Sequence, residues 1–145
     1  MRIFYTVLLS VFLLLSCQDT PSEAENKYRE NLKIVLDGHD ELMKEIGTIN
    51  SLIKQLDDSV KTSSDTIVYQ KAGDQLKAAH EAMFDWMHDF SADFEDLHGD
   101  QDKQFSEEDY QKKVEALKKH EDRLSVLEEQ FDSGISKAKE ILKEE

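Results

Sequence analysis

Apolar residues recur along this chain at alternating steps of four and three. In the first long segment they fall at Tyr28, Leu32, Val35, Leu42, Ile46, Ile49, Ile53, Leu56 and Val60, with His39 at the one step otherwise missing. A stripe of that period lies on one face of an α-helix, because 3.6 residues complete a turn. A second stripe follows through Leu76, His80, Met83, Met87, Phe90, Phe94 and Leu97. The third consists of Tyr110, Val114, Leu117, His120, Leu124, Leu127, Phe131, Ile135, Ala138 and Leu142.

Turn and capping residues separate the stripes. Residues 57–65 include Ser59, Thr62, Ser63 and Ser64, and the second stripe ends at Gly99-Asp100. Ser22 stands three residues before Glu25, and Ser106 three before Asp109, the spacing of a capping box at a helix start. Helices are therefore predicted over residues 24–60, 66–98 and 106–143. Three amphipathic helices joined by short polar turns bury their stripes most simply as an all-α, antiparallel up-down-up three-helix bundle with coiled-coil-like packing. The alternative, one extended coiled coil that oligomerises, fits less well with two turn-rich breaks, so a monomeric bundle is expected.

Composition agrees with long helices: Pro21 is the sole proline and only five glycines occur. With 18 Lys and Arg against 32 Asp and Glu the net charge is −14, which excludes the basic face that nucleic-acid binding requires.

The N-terminus has a different character. Residues 3–15 form an apolar run of 13, short of the roughly 20 that span a bilayer as a helix. Arg2 before it and Ser16 after it complete the layout of a cleaved secretory leader over residues 1–16. Leu14-Leu15-Ser16-Cys17 resembles the lipobox of bacterial lipoproteins, in which the cysteine thiol is diacylated and the new amino terminus then acylated. The resemblance implies lipidation (palmitate) at Cys17 and a protein held to the membrane of the cell envelope; the polar residues after the cysteine then read as a tether, 17–22 with the lipidated Cys17, and the striped segment 23–145 as the bundle. Gln18 replaces the aspartate that favours inner-membrane retention in enterobacterial lipoproteins, so the outer membrane is the expected destination. Cys17 is the only cysteine, so no thiol remains for a disulfide and stability must come from packing.

Candidate chemistry sits on the stripes themselves. His39, His80 and His120 are spaced about 40 residues apart, one per helix. Folding about pivots near residues 61–62 and 101–102 would set His39 and His120 opposite Met83 or Phe84, with His80 level with Met43. Imidazole and thioether donors from facing helices can hold haem or copper, and imidazole also suits zinc. His39, Met43, His80, Met83, Met87 and His120 are thus a candidate metal or haem site. The bland reading is that the histidines are core residues and the methionines fill gaps. No Cys-x-x-Cys-His attachment site and no His-x-x-x-His pair supports a cofactor, so none is expected. Asp40, Glu81 and Glu121 follow the three histidines but point about 100° away and read as surface charge.

Phe84 and Trp86 flank the Met83–Met87 seam and either thicken the core or face a partner. Asp96, Asp100, Asp102 and Glu107 match positions 1, 5, 7 and 12 of a calcium loop, but His98 and Gln101 occupy positions 3 and 6, and the sharp turn at position 6 needs glycine. That segment reads as an acidic interhelical loop. Enzyme signatures such as Gly-x-Ser-x-Gly, a phosphate loop or His-Glu-x-x-His are missing, and no enzyme is expected.

His39-Asp40-Glu41-Leu42-Met43-Lys44-Glu45-Ile46-Gly47, together with Ala82-Met83-Phe84-Asp85-Trp86-Met87-His88-Asp89-Phe90, resembles a group of small Bacteroidetes lipoproteins often labelled viral A-type inclusion proteins. The label reflects coiled-coil similarity, and the resemblance implies a lipid-anchored helical protein without a specific activity. The expectation is a non-enzymatic binding or structural module in the envelope with an envelope protein as partner; the alternative is a metal or haem carrier.

Overall fold

The computed structural model describes residues 20–64, 66–98 and 105–143. Cys17, the expected leader before it and the centre of the calcium-like loop lie outside the described residues. Three long helices make up the fold: α1 Glu23–Thr62, α2 Thr66–Asp93 and α3 Glu107–Ile141, with a short 3₁₀ turn at Glu95–His98. No strand occurs among the described residues, and each helix packs on the other two. No described helix is long and apolar enough to cross a membrane.

Local chemistry explains the helix ends. Ser22 caps α1, its hydroxyl accepting the Glu25 amide proton at 3.1 Å. Only half of the predicted capping box forms, because the Glu25 carboxylate turns to Arg29 at 2.6 Å. At α3 the box is complete: Ser106 accepts from the Asp109 amide, and Asp109 accepts from the Ser106 amide. Each cap satisfies amides that have no partner inside the helix. The second helix ends at Asp93, five residues before the expected 98. From there the Leu97 amide donates to the Phe94 carbonyl at 2.9 Å, a tightened i to i+3 turn. That tightening buries Phe94 and leaves Leu97 packed against the core.

Cross-helix contacts fix the topology. Along α2, Lys77 meets Asp57 of α1 at 3.0 Å and Trp86 meets the earlier His39, while Gln75 meets Ser133 of α3 and Asp89 meets the earlier Arg123 at 2.9 Å, so each successive pair is antiparallel. Helices α1 and α3 consequently run parallel, which sets Tyr28 beside Tyr110 with ring centroids 5.7 Å apart. This is the up-down-up bundle that the stripes predict.

On α1 a heptad of buried positions runs through Tyr28, Val35, Leu42, Ile49 and Leu56, joined by Ala24, Leu52 and Ser59 toward the helix ends, while Leu32, His39, Ile46, Ile53 and Val60 are half-buried beside them. Deepest in the bundle lie Val35, Ile49, Leu56, Leu76, Met83, Leu117 and Phe131, with Trp86 and Phe94 near one end. Gly134 makes room on α3 for Leu76 of α2: a Cβ there would stand 2.9 Å from Leu76 Cδ2. The whole described core falls between Ala24 and Ile141, within residues 18–145.

Candidate functional site

The densest polar and aromatic cluster forms where Trp86 meets His120. Trp86 is 2 % exposed and its indole N–H donates to the main-chain carbonyl of His120 at 3.1 Å. The His120 ring, itself 3 % exposed, stands edge-on to three aromatic rings of α2: Trp86 at 5.6 Å, Phe90 at 5.2 Å and Phe94 at 5.8 Å between centroids. On α2, Trp86 and, one heptad further on, Asp93 face α3 and deliver these groups.

Asp93, at the mouth of this nest, places Oδ2 3.0 Å from His120 Nε2. A carboxylate only accepts, so Nε2 is the donor of this contact, and the polar atom left over on the ring is Nδ1. That Nδ1 is buried and has no hydrogen-bond partner. One turn away, the Arg123 guanidinium hydrogen-bonds Asp89 at 2.9 Å and holds that carboxyl below the usual aspartate range. Lys113 extends over the Phe94 ring, 5.4 Å from its centroid.

His39 reaches the same cluster from α1, stacking on the Trp86 indole at 5.5 Å and 18°. Its Nδ1 lies 3.0 Å from Asp40 Oδ1, so the acid that follows it does turn back toward the ring. His80 packs elsewhere, edge-on to Phe84 at 4.9 Å. It sits six residues before Trp86 on the same helix, about 9 Å along the axis. Met83 is fully buried, whereas Met43 and Met87 are half-buried against the core.

The expected level is therefore displaced by about one turn. His39 and His120 meet at Trp86, not at Met83 or Phe84. The pivots account for the displacement, since α3 begins only at Glu107 and the Asp89–Arg123 pair centres the second fold near residue 106. Among the described residues no three His, Cys, Asp or Glu side chains are placed to hold a metal ion. What joins His39 to His120 is the indole. Of the two aromatics read as partner-facing, Trp86 is interior and only Phe84, 53 % exposed, remains available. Asp93 and the aromatic nest are the features that sequence reasoning missed: Phe90 and Phe94 lay on the stripe, but pairing an acid with a histidine 27 residues away needs the register.

The surface carries two further features. Glu41, Glu121 and Glu128 flank a groove between α1 and α3. Large hydrophobics also stand in solvent, among them Ile34, Ile67, Phe84 and Val126. No family model, curated protein or solved structure matches the chain.

Proposed function

We propose that this chain is a lipid-anchored helical-bundle lipoprotein of the bacterial envelope, outer membrane favoured, that acts as a non-enzymatic docking or structural module. The observation that carries the binding part is the self-filled interior: from Val35 and Leu117 to Leu56 and Phe131 the core is closed by the chain's own side chains. A bundle that fills its own interior meets partners through its surface. The anchor rests on Leu14-Leu15-Ser16-Cys17, where two or more acyl chains would give stable membrane attachment. On this reading His39 and His120 organise packing around Trp86, and the chain carries no resident copper, zinc or haem.

Two measurements test it. Labelled palmitate should enter the wild-type chain and not Cys17→Ser, and fractionation should place the labelled protein in the outer membrane. Titration of residues 18–145 with Cu(I), Cu(II), Zn(II) and haem should give no stoichiometric complex. Saturable one-to-one binding that raises the melting temperature and disappears in His39→Ala would instead make the chain a carrier.

A further inference from the structure

A stripe of α1, Ile34, Gly38 and Glu41, lies along a stripe of α3, Glu121, Leu124 and Glu128, and together they line a surface groove of about 360 Å³. Both stripes advance by steps of three and four over seven residues, so each presents one helix face about 10 Å long. Because α1 and α3 run parallel, the two faces lie side by side. Leu124 is buried and forms the floor, whereas Ile34 is 45 % exposed and offers an apolar wall to the outside.

Three observations say what fits there. The first is charge: the lining contains three glutamates and no basic residue. Glu41 is paired with Lys44 at 2.5 Å, but Glu121 and Glu128 make no ion pair among the described residues. The second is Gly38. Mid-helix glycine costs about 1 kcal/mol relative to alanine, yet a Cβ here would make only an ordinary contact, 3.5 Å from Leu124 Cδ1. The bundle does not need a glycine at this place, and its absent side chain keeps the groove open. The third is shape: a two-turn apolar floor between acidic rims matches an amphipathic helix that lays apolar anchors at i and i+4 inward and basic residues outward.

We infer that the α1–α3 groove docks a basic amphipathic helix of a partner protein, with leucine-like anchors on Leu124 and Ile34 and lysines or arginines against Glu121 and Glu128. The inference rests on the docking-module reading and names its surface and the chemistry of its partner.

The test uses residues 18–145 and a fluorescein-labelled helical peptide of 14 residues, with leucines at i, i+4 and i+7 and lysines on both flanks. Fluorescence anisotropy should show saturable one-to-one binding. The pair Glu121→Lys with Glu128→Lys should weaken it at least tenfold, and Ile34→Ser at least threefold, with unchanged circular dichroism. Reversing two acids on the exposed side of α2, Glu81→Lys with Asp85→Lys, should change it less than twofold. Equal weakening by the two reversals would reduce the binding to general attraction toward an acidic chain and overturn the proposal, as would the absence of saturation. Palmitate labelling at Cys17 is independent of either result, so loss of the docking surface and loss of the anchor are read separately.

Discussion

Replacing His120 by phenylalanine should leave the bundle about as stable as it is now, whereas replacing it by alanine should not. The imidazole makes one polar contact worth counting, to Asp93 at 3.0 Å, and the Asp93 side chain is 60 % exposed. Removing such a pair costs on the order of 0.5 kcal/mol, since water takes over the carboxylate. Against this, Nδ1 is buried without a partner, and eliminating an unsatisfied buried polar atom recovers about 1–3 kcal/mol. The larger phenyl ring must fit among Trp86, Phe90 and Phe94, and overpacking takes back about 1–2 kcal/mol. The net change for His120→Phe is centred on zero and within about 1.5 kcal/mol of it. Alanine instead empties the nest and costs about 3 kcal/mol, the scale of other buried ring deletions. At roughly 4 °C per kcal/mol for a chain of this size, the two variants should melt about 12 °C apart. Thermal and urea unfolding of residues 18–145, followed by circular dichroism at 222 nm, measures the difference. If phenylalanine destabilises as much as alanine, the polar character of the imidazole carries the stability and the packing argument fails.

Three further outcomes are expected. Gly47→Ala should raise stability by about 0.5–1 kcal/mol, seen as a higher urea midpoint with unchanged slope, because nothing lies within 4 Å of a Cβ at this mid-helix glycine. Met83→Ala should cost about 2–5 kcal/mol in the same assay, since Met83 is fully buried, and Phe84→Ala should stay within about 0.5 kcal/mol, since Phe84 is 53 % exposed. The Arg123 hydrogen bond lowers the folded Asp89 carboxyl below its ordinary value, so its contribution is complete above about pH 4 and is lost as pH falls through the lowered value. In Asp89→Asn the acid limb of the stability profile should become shallower, and a profile unchanged from wild type would show that the pair contributes nothing.

How much of this was legible beforehand varies by helix, for a physical reason. On α3 the stripe and the buried set nearly coincide, from Leu117 through Ala138, because α3 presents one face to both neighbours. On α2 the read stripe was rotated: Ala72, Ala79 and Trp86 are buried, while His80, Met87 and Phe90 sit at its edge. Alanines carry little hydrophobic signal, so a pattern read from large side chains points slightly away from a buried face that includes Ala72 and Ala79. The site suffered from a second difficulty. The level at which three histidines meet depends on where each turn pivots, and a shift of a few residues in the second pivot moved His120 from Met83 to Trp86. Periodicity reads which face is buried; it does not measure the length of a loop.

The two proposals constrain each other through the length of α1. At 1.5 Å per residue its 40 residues extend about 60 Å from Glu23, next to the tether, to the turn at Thr62. Ile34 and Glu41 stand only about 16–27 Å along that axis, and α3 runs parallel from the same end, so the acidic groove lies in the tether-proximal half. Anchorage at Cys17 would hold this groove within a few tens of ångströms of a bilayer, well beyond the roughly 8 Å over which surface charge is screened. The bundle's excess of acids would resist lying down on an anionic membrane and keep the groove open to the side. A partner whose basic helix runs close to the membrane surface would then face two negative surfaces, and the groove would compete for it by adding an apolar floor that a headgroup layer lacks. Moving the bundle outward by a polar insertion after Gln18 should therefore weaken capture of a membrane-bound basic helix while leaving the free peptide's affinity unchanged.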